Sequence, residues 1–402
     1  MAKKELTRRQ FIRNTSVKLA ATGLFLNQSS TKTAFSAKNA ASKKKKEPNM
    51  EYRTLGKTGL KVSTISFGVM RLKEPAVLYK ALDLGINYFD TAESYQNGNN
   101  ETMLGKVAKE YGREKVIIAT KIHPFHMRQD MSGDFKMLER KELDERMDKC
   151  LKRLQTDYVD VLMIHNIMDN SWPLDPKILS FLEKLKKDGK VRFAGVSVHD
   201  PRYYVGTVDQ ILKNDIYDVI TAWYNFKSDP EQSAALEKAA KGNIGVIAMK
   251  TQAGGYKAPD TSLSPHQAAL SWVLEKDYIT CAIPGMVNIE QVVENVGAAR
   301  KKTSWSDRKT LHAYYNSIKN RLCIMCGSCS STCKNNVDIH SINRALMYRE
   351  GYKDFEQGRQ TYLELSSRTN GLACITCTAP TCHCANGIKI PERMNQAHSL
   401  FA

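Results

Sequence analysis

Eight of the ten cysteines lie near the C-terminus in two closely spaced groups, Cys323, Cys326, Cys329 and Cys333, then Cys374, Cys377, Cys382 and Cys384. The first group has the spacing x2, x2, x3 and the second the spacing x2, x4, x1. Three thiolates on one tight loop can each bind a different iron of a four-iron cluster, while a fourth further along reaches a neighbouring cluster. The spacing therefore favours iron–sulfur clusters as the groups that these cysteines bind.

The first group resembles the ligand run of bacterial ferredoxins, and the two groups together resemble a ferredoxin domain with two [4Fe–4S] clusters. The resemblance implies two ligand sets, Cys323, Cys326, Cys329 and Cys384 for one cluster and Cys333, Cys374, Cys377 and Cys382 for the other. The chain departs from that family at Lys334 and Ala385, where a proline usually follows the fourth cysteine. The second group is also irregularly spaced, and His383 lies within it.

Two other interpretations of the cysteines are disulfides and zinc. An exported protein with eight cysteines can form four bridges, but spacings of x2 and x1 are awkward for pairing within a group. Zinc sites usually show two CxxC pairs rather than a three-thiolate loop. The remaining two cysteines, Cys150 and Cys281, fall in a predicted helix and a predicted strand and are expected to be buried packing residues.

Four further polar residues lie at or just beyond the ends of predicted strands: Asp90 and Tyr95 in YFDTAESY, Lys121 in IIATK and His165 in VLMIH. A carbonyl group that receives a hydride must also receive a proton. A free tyrosine, with a pKa of about 10, holds its proton too tightly for efficient donation near neutrality. A lysine cation beside it favours the phenolate and is expected to lower that pKa.

The elements that position these residues form a repeating pattern. Eight short apolar runs alternate with stretches of helical periodicity between about residues 64 and 301. Apolar strands without polar alternation are typical of a parallel sheet covered by helices, and eight such units in this length predict an α/β fold, a (β/α)8 TIM barrel. A doubly wound open sheet is the alternative, but no glycine-rich dinucleotide motif follows the first strand. A hairpin is predicted over residues 51–65, before the barrel.

The four polar residues, with LGK and Gly59 near residues 55–59 and GVS at 195–197, resemble the aldo-keto reductase family over about residues 51–301. The resemblance implies hydride transfer between a nicotinamide and a carbonyl or alcohol. It implies that Tyr95 is the general acid and that Lys121 lowers its pKa. Asp90 would then keep Lys121 charged, and His165 would position the substrate oxygen.

The same resemblance implies a set of positions that bind NAD(H) or NADP(H): Ser197, Asn225, Met249, Gly285, Gln291 and Asn295. Two positions depart from the family pattern, since Val198 replaces the usual Asn and Thr221 the usual Gln. The basic residues that bind the 2′-phosphate of NADP would fall at Gly285 and Gln291, so a preference for NAD(H), or weak nucleotide binding, is expected.

The N-terminus carries the pattern of a twin-arginine (Tat) export signal, TRRQF followed by an apolar stretch. The apolar stretch, Val17 to Leu26, is too short to span a bilayer of roughly 30 Å as a helix. We expect an exported, periplasmic protein, or a membrane-associated one if the leader is not cleaved. Of the net charge of +18, residues 1–47 contribute +10, which favours a solvated basic tail over nucleic-acid binding.

These features divide the chain into five segments. They are a signal peptide (1–37), a basic linker (38–50), the barrel (51–302), a linking helix (303–319) and a ferredoxin-like, α-rich iron–sulfur domain (320–402).

The predicted function is an exported NAD(P)-dependent oxidoreductase that acts on a small carbonyl or alcohol, with two clusters for electron transfer or structure. The expected partners are the substrate, the Tat machinery and a redox partner, and a nucleotide bound before export is expected to be retained. His123 and His126 lie in a loop that could contact the substrate. The alternative function is an iron–sulfur electron-transfer or binding protein whose barrel no longer uses nucleotide.

Overall fold

The computed structural model describes residues 50–126, 136–257, 264–299 and 302–402. The predicted leader and all but the last residue of the predicted basic linker lie outside these ranges. The described chain begins with an antiparallel hairpin of β1 (Tyr52–Thr54) and β2 (Lys61–Ser63), in agreement with the hairpin predicted over 51–65. At its turn Gly59 adopts a φ of 72°, which favours glycine.

Eight parallel strands follow, and each pairs with the next along the chain. They are β3 (Phe67–Gly68), β4 (Tyr88–Asp90), β5 (Ile117–Ile122), β6 (Val159–Ile164), β7 (Val191–Val198), β8 (Tyr217–Trp223), β9 (Gly245–Met249) and β10 (Cys281–Ala282). The last strand meets the first, because the Ala282 N–H donates to Thr64 O (2.9 Å) and the Ser66 N–H donates to Ala282 O (2.8 Å). The sheet is therefore closed, which confirms the predicted barrel and excludes the open sheet.

Helices alternate with these strands on the outside of the barrel. They are α1 (Pro75–Asp83), α2 (Asn99–Tyr111), α3 (Arg140–Leu154), α4 (Pro176–Lys187), α5 (Tyr204–Ile211), α6 (Pro230–Lys241), α7 (Pro265–Leu274) and α8 (Ile289–Val296). The N-termini of several of these helices carry capping residues that are typical of helix starts. Asp175, for example, accepts from two backbone N–H groups at the start of α4, with Pro176 at the first helical position.

The barrel core consists of the apolar runs that predicted the strands. One set of side chains fills the barrel interior, including Tyr88, Val161, Met163 and Ile247, and a larger set lies between strands and helices. The two isolated cysteines belong to this core, as predicted: Cys150 on α3 and Cys281 on β10 are both fully buried. No helix in the described ranges is both long and apolar enough to cross a bilayer.

Five helices follow the barrel: α9 (Trp305–Ile318), α10 (Ile339–Glu350), α11 (Phe355–Leu363), α12 (Leu372–Ile375) and α13 (Ile390–Phe401). Helices α10, α11 and α13 enclose a second apolar core that includes Ile342, Leu346, Met394 and Phe401. This C-terminal segment also shares the barrel core, since Met347 and Tyr348 of α10 are part of it.

The contact between α10 and the barrel is tight. A Cβ on Gly351, just after α10, would lie 1.9 Å from the carbonyl oxygen of Gly254 in the loop after β9, so only glycine fits there. The guanidinium of Arg71 stacks on the Tyr352 ring at 4.6 Å and forms an ion pair with Asp354. We call α10 and α11 together the roof, because both lie over the carboxyl ends of the barrel strands.

Candidate active site

The buried side chain of Lys121 lies at the centre of the predicted catalytic group. Its Nζ donates to Asp90 Oδ1 and to Thr91 O (2.8 Å), and lies 3.3 Å from the hydroxyl oxygen of Tyr95. Asp90 is the last residue of β4, and Lys121 lies near the end of the adjacent strand β5. Because parallel strands end at the same edge of the barrel, residues far apart in sequence meet here.

Tyr95 is held by a strained loop between β4 and α2. The two residues after it, Gln96 and Asn97, have φ values of 50° and 54°, a region that non-glycine residues seldom adopt. The amide nitrogen of Gln96 donates to Met70 O (3.0 Å) and Leu72 O (2.8 Å). These hydrogen bonds fix the loop and so direct the phenol of Tyr95 towards Lys121.

The sequence predicts that Lys121 lowers the pKa of Tyr95, but the overall pKa of Tyr95 in this structure is raised. Burial raises the pKa of Tyr95 well above its usual value, and the negative charge of Asp90 raises it further. Asp90 forms an ion pair with Lys121 and so offsets the field of the ammonium group at the phenol. Tyr95 therefore keeps its proton at neutral pH, and Lys121 acts as its hydrogen-bond partner.

Three histidines line the cavity beside Tyr95. His165 follows β6, and its ring stacks on that of His123 at 4.1 Å and lies 5.5 Å from that of His199. Burial lowers the pKa of all three, that of His123 to about 3. The imidazoles are therefore neutral near pH 7 and can orient a substrate oxygen through hydrogen bonds. His126 lies beyond this group, with its Nε2 3.0 Å from Glu142 Oε1.

A second cavity adjoins Asp90 and Tyr95 at the ends of β9 and β10. Two of the residues predicted to bind the nicotinamide nucleotide, Met249 and Gly285, line it. The other four are not among the residues that line it. Asn295 Oδ1 accepts from Gln252, which does line the cavity, whereas the Ser197 hydroxyl accepts from the Asn166 N–H (2.9 Å). The Asn225 amide nitrogen donates to Lys250 O (3.3 Å) in the loop after β9. Gln291 Oε1 accepts from the Val287 N–H (2.8 Å) before α8.

Several residues of these two cavities were not predicted from the sequence. His199 follows β7 directly, so its position after a strand was a usable signal. Tyr348 and Arg344 of α10, by contrast, come from far along the chain and line the cavity from the roof. The Tyr348 hydroxyl accepts from Lys250 Nζ (2.9 Å). Burial raises the pKa of Tyr348, but the charges of Lys250 and Arg344 outweigh burial and lower it overall.

Six of the eight C-terminal cysteines belong to the second apolar core or pack against it: Cys323, Cys329, Cys333, Cys374, Cys382 and Cys384. The pKa of Cys323 is raised to about 12, chiefly by burial and also by the thiols of Cys329, Cys384 and Cys326. The pKa of Cys374 is likewise raised, to about 11, chiefly by burial and also by the thiols of Cys333, Cys382 and Cys377. The charge of Cys382 also raises the pKa of Cys329, so the thiols of the two groups lie near one another.

Two backbone groups point at these sulfurs. The Met325 N–H donates to Cys323 Sγ and the Asn386 N–H to Cys384 Sγ, each at 3.4 Å. All ten cysteines are free thiols. Within the described ranges, no group of three or more His, Cys, Asp or Glu side chains is gathered closely enough to hold a single metal ion.

Comparisons with known proteins identify the family. The family model described as "Aldo/keto reductase family" matches residues 65–259. A relative from Schizosaccharomyces pombe that carries the name of a voltage-gated potassium channel subunit beta is 32% identical, over 62% of this chain and 88% of its own length. L-Galactose dehydrogenase of Arabidopsis thaliana is 30% identical, over 65% of this chain and 92% of its own length.

Solved structures of aldo-keto reductases have a similar fold. The holo form of aldo-keto reductase AKR11C1 from Bacillus halodurans matches with a TM-score of 0.56 and 25% identity, over 66% of this chain and 96% of its own. The chain belongs to the aldo/keto reductase family and is an oxidoreductase of that family, whose members use NAD(P)H.

The buried histidines predict a specific pH dependence of stability. In the unfolded chain His123 takes up a proton below its usual pKa of about 6.5, whereas in the folded protein it stays neutral down to a pKa of about 3. The unfolded state binds more protons in that window, so the free energy of unfolding falls as the pH falls, by up to about 1.4 kcal/mol per unit for this residue.

The substitution His123→Asn should therefore reduce the slope of unfolding free energy against pH by about one proton between pH 6 and pH 4.5. Urea titrations at a series of pH values measure it, with circular dichroism at pH 7 as the check that the variant is folded. An unchanged slope would show that His123 titrates normally in the folded protein.

Proposed function

We propose that this chain transfers a hydride between a nicotinamide nucleotide and a carbonyl or alcohol substrate. The observation that carries the proposal is the contact of Lys121 Nζ with both Asp90 and the Tyr95 hydroxyl, at the edge of a cavity that His165 also lines. When bound, the nicotinamide supplies or accepts the hydride. The residues of the chain then bind the substrate and move the proton.

In this proposal the roles follow from the geometry. In the reducing direction Tyr95, protonated because its pKa is raised, donates its proton to the substrate oxygen. The developing phenolate is stabilised by the ammonium of Lys121, and Asp90 holds that ammonium in place. The neutral ring of His165 donates a hydrogen bond to the substrate oxygen and orients the carbonyl carbon.

The cavity at the ends of β9 and β10 fits a polar, flat ligand such as the nucleotide. The hydroxyl of Thr251 is buried there and has no hydrogen-bond partner among the described residues, and Gln252 contributes an amide. Met249 and Gly285 supply apolar walls. Because Gly285 and Gln291 stand where the 2′-phosphate would need cations, NAD(H) is the proposed cofactor, and NADP(H) is the second candidate.

We propose that the C-terminal segment holds two [4Fe–4S] clusters. The two sets of four thiols, the backbone N–H groups directed at Cys323 and Cys384, and the ferredoxin-like spacing all support this assignment. The clusters would carry electrons to a redox partner or brace the C-terminal segment beside the roof. The chemistry of an all-thiolate donor set suits iron–sulfur clusters.

We propose further that the chain is exported to the periplasm by the Tat machinery, on the strength of its twin-arginine leader. That route transports folded proteins, which suits a protein whose clusters and nucleotide are inserted in the cytoplasm. A retained nucleotide then implies either that one substrate is oxidised while another is reduced, or that electrons leave through the clusters.

The substitution Tyr95→Phe tests the hydride-transfer proposal. It removes the proton donor and leaves the ring, so turnover of carbonyl substrates with NADH should fall about 10²- to 10⁴-fold. Binding of the nucleotide, measured by fluorescence titration, should be unchanged. Tyr111→Phe, on the partly exposed end of α2, is the matched control. Full redox activity in the Tyr95→Phe protein would instead favour an electron carrier on a barrel that no longer uses nucleotide.

Iron analysis tests the cluster proposal. Protein purified without oxygen should contain about eight irons and about eight acid-labile sulfides per chain, as expected for two four-iron clusters. The substitution Cys326→Ser should remove one cluster and leave about four irons. Cys150→Ser, which changes a buried thiol of α3, should leave the iron content unchanged. Zinc in place of iron, or full iron in Cys326→Ser, would contradict the assignment.

A further inference from the structure

We propose that Arg344 of the roof is an anion-binding residue, and that the substrate carries a carboxylate or phosphate group in addition to its reacting carbonyl or alcohol. This inference rests on the hydride-transfer function proposed above and adds the chemical class of the substrate. The segment that we assign to the iron–sulfur clusters would then also determine what the barrel reduces.

Arg344 lies on the face of α10 that closes the substrate cavity. Ser341, Arg344 and Tyr348 are spaced three and four residues apart, so they lie on one side of the helix, and all three line the cavity with Tyr95 and His165. The guanidinium and the catalytic tyrosine therefore line the same cavity from different elements, the roof and the barrel.

The guanidinium of Arg344 has no protein partner among the described residues. It donates no hydrogen bond, and no carboxylate lies within ion-pair distance of it. An arginine carries five N–H donors, and a half-buried one normally binds a carboxylate or carbonyl oxygen. An unpaired guanidinium that faces a substrate cavity is therefore directed at a ligand.

The other cations near the cavity are already engaged. Lys121 is paired with Asp90, Arg146 with Glu93, and Lys250 with the Tyr348 hydroxyl. Two carboxylates also line the wall. Asp338 Oδ1 accepts from the Ser341 N–H at the start of α10, and Glu364, just after α11, has interactions of its own and forms no ion pair with Arg344 in the described part of the chain. The guanidinium of Arg344 is therefore available to pair with an anionic group of a ligand.

The field of Arg344 reaches the catalytic side of the cavity. After burial, its positive charge is the largest cause of the lowered pKa of His199, and it also contributes to the lowered pKa of His165. A substrate anion bound to Arg344 would therefore be close to the histidines that orient the reacting oxygen. The flat, forked guanidinium suits two-point binding of a carboxylate or a phosphate equally.

The test uses three sugars that share one aldehyde-bearing hydroxylated skeleton and differ at carbon 6: glucose, glucuronate and glucose 6-phosphate. Calorimetry on the full cluster-loaded protein should show one or both anions binding at least tenfold more tightly than glucose. Arg344→Met, which keeps the length of the stem, should remove that preference, a loss of about 10- to 100-fold. Arg344→Lys should retain part of it.

The matched control is Arg349→Met, which removes the same charge from the same helix outside the cavity and should keep the preference. A preference for glucuronate alone identifies a carboxylate subsite, and one for glucose 6-phosphate alone a phosphate subsite. Equal affinity for all three sugars, or an unchanged preference in Arg344→Met, overturns the inference.

The test also separates this inference from the hydride-transfer function. Anion-selective binding without turnover by NADH would leave the subsite standing and refute the function. Turnover by NADH without a preference for the anions would support the function and overturn the anion subsite.

Discussion

The buried ion pair of Lys121 and Asp90 is the interaction on which the rest of the site depends. Both side chains are almost completely removed from water, which costs several kcal/mol per ion before their mutual attraction is counted. A buried ion pair is weak evidence for stability, and the role of this pair is to hold the Lys121 ammonium group in position. It fixes one ammonium group between the ends of two adjacent strands, and Tyr95 is placed by that group. Removing either partner would leave an uncompensated buried charge.

The roof is the second constraint, because it covers part of the open barrel face and forms a cavity there. Its contacts with the barrel are specific: Gly351 fits against Gly254 only as glycine, Arg71 stacks on Tyr352, and Lys250 donates to Tyr348. Enclosure lowers the local dielectric constant, which explains why the imidazoles are neutral and why Tyr95 keeps its proton. Loss of the roof would therefore alter the protonation of the site as well as its shape.

The sequence predicted the eight strands because each is a continuous apolar run, and it predicted the four polar residues because strand ends meet at one edge of a barrel. It did not predict the roof. Arg344 and Tyr348 reach Lys250 and His199 across a long stretch of sequence, and no local periodicity encodes such a contact. The direction of the pKa shift of Tyr95 was also missed, because burial and the charge of Asp90 depend on packing that residue types alone do not specify.

The most direct test of the account is the nucleotide content of protein that has matured through its own export route and been purified without added cofactor. Denaturation should release close to one nicotinamide nucleotide per chain, with NAD(H) in excess over NADP(H), from protein that also contains iron. A protein that releases none, and that binds neither NADH nor NADPH when they are added back, would contradict hydride transfer at Tyr95. It would leave an iron–sulfur protein on a reductase-shaped barrel.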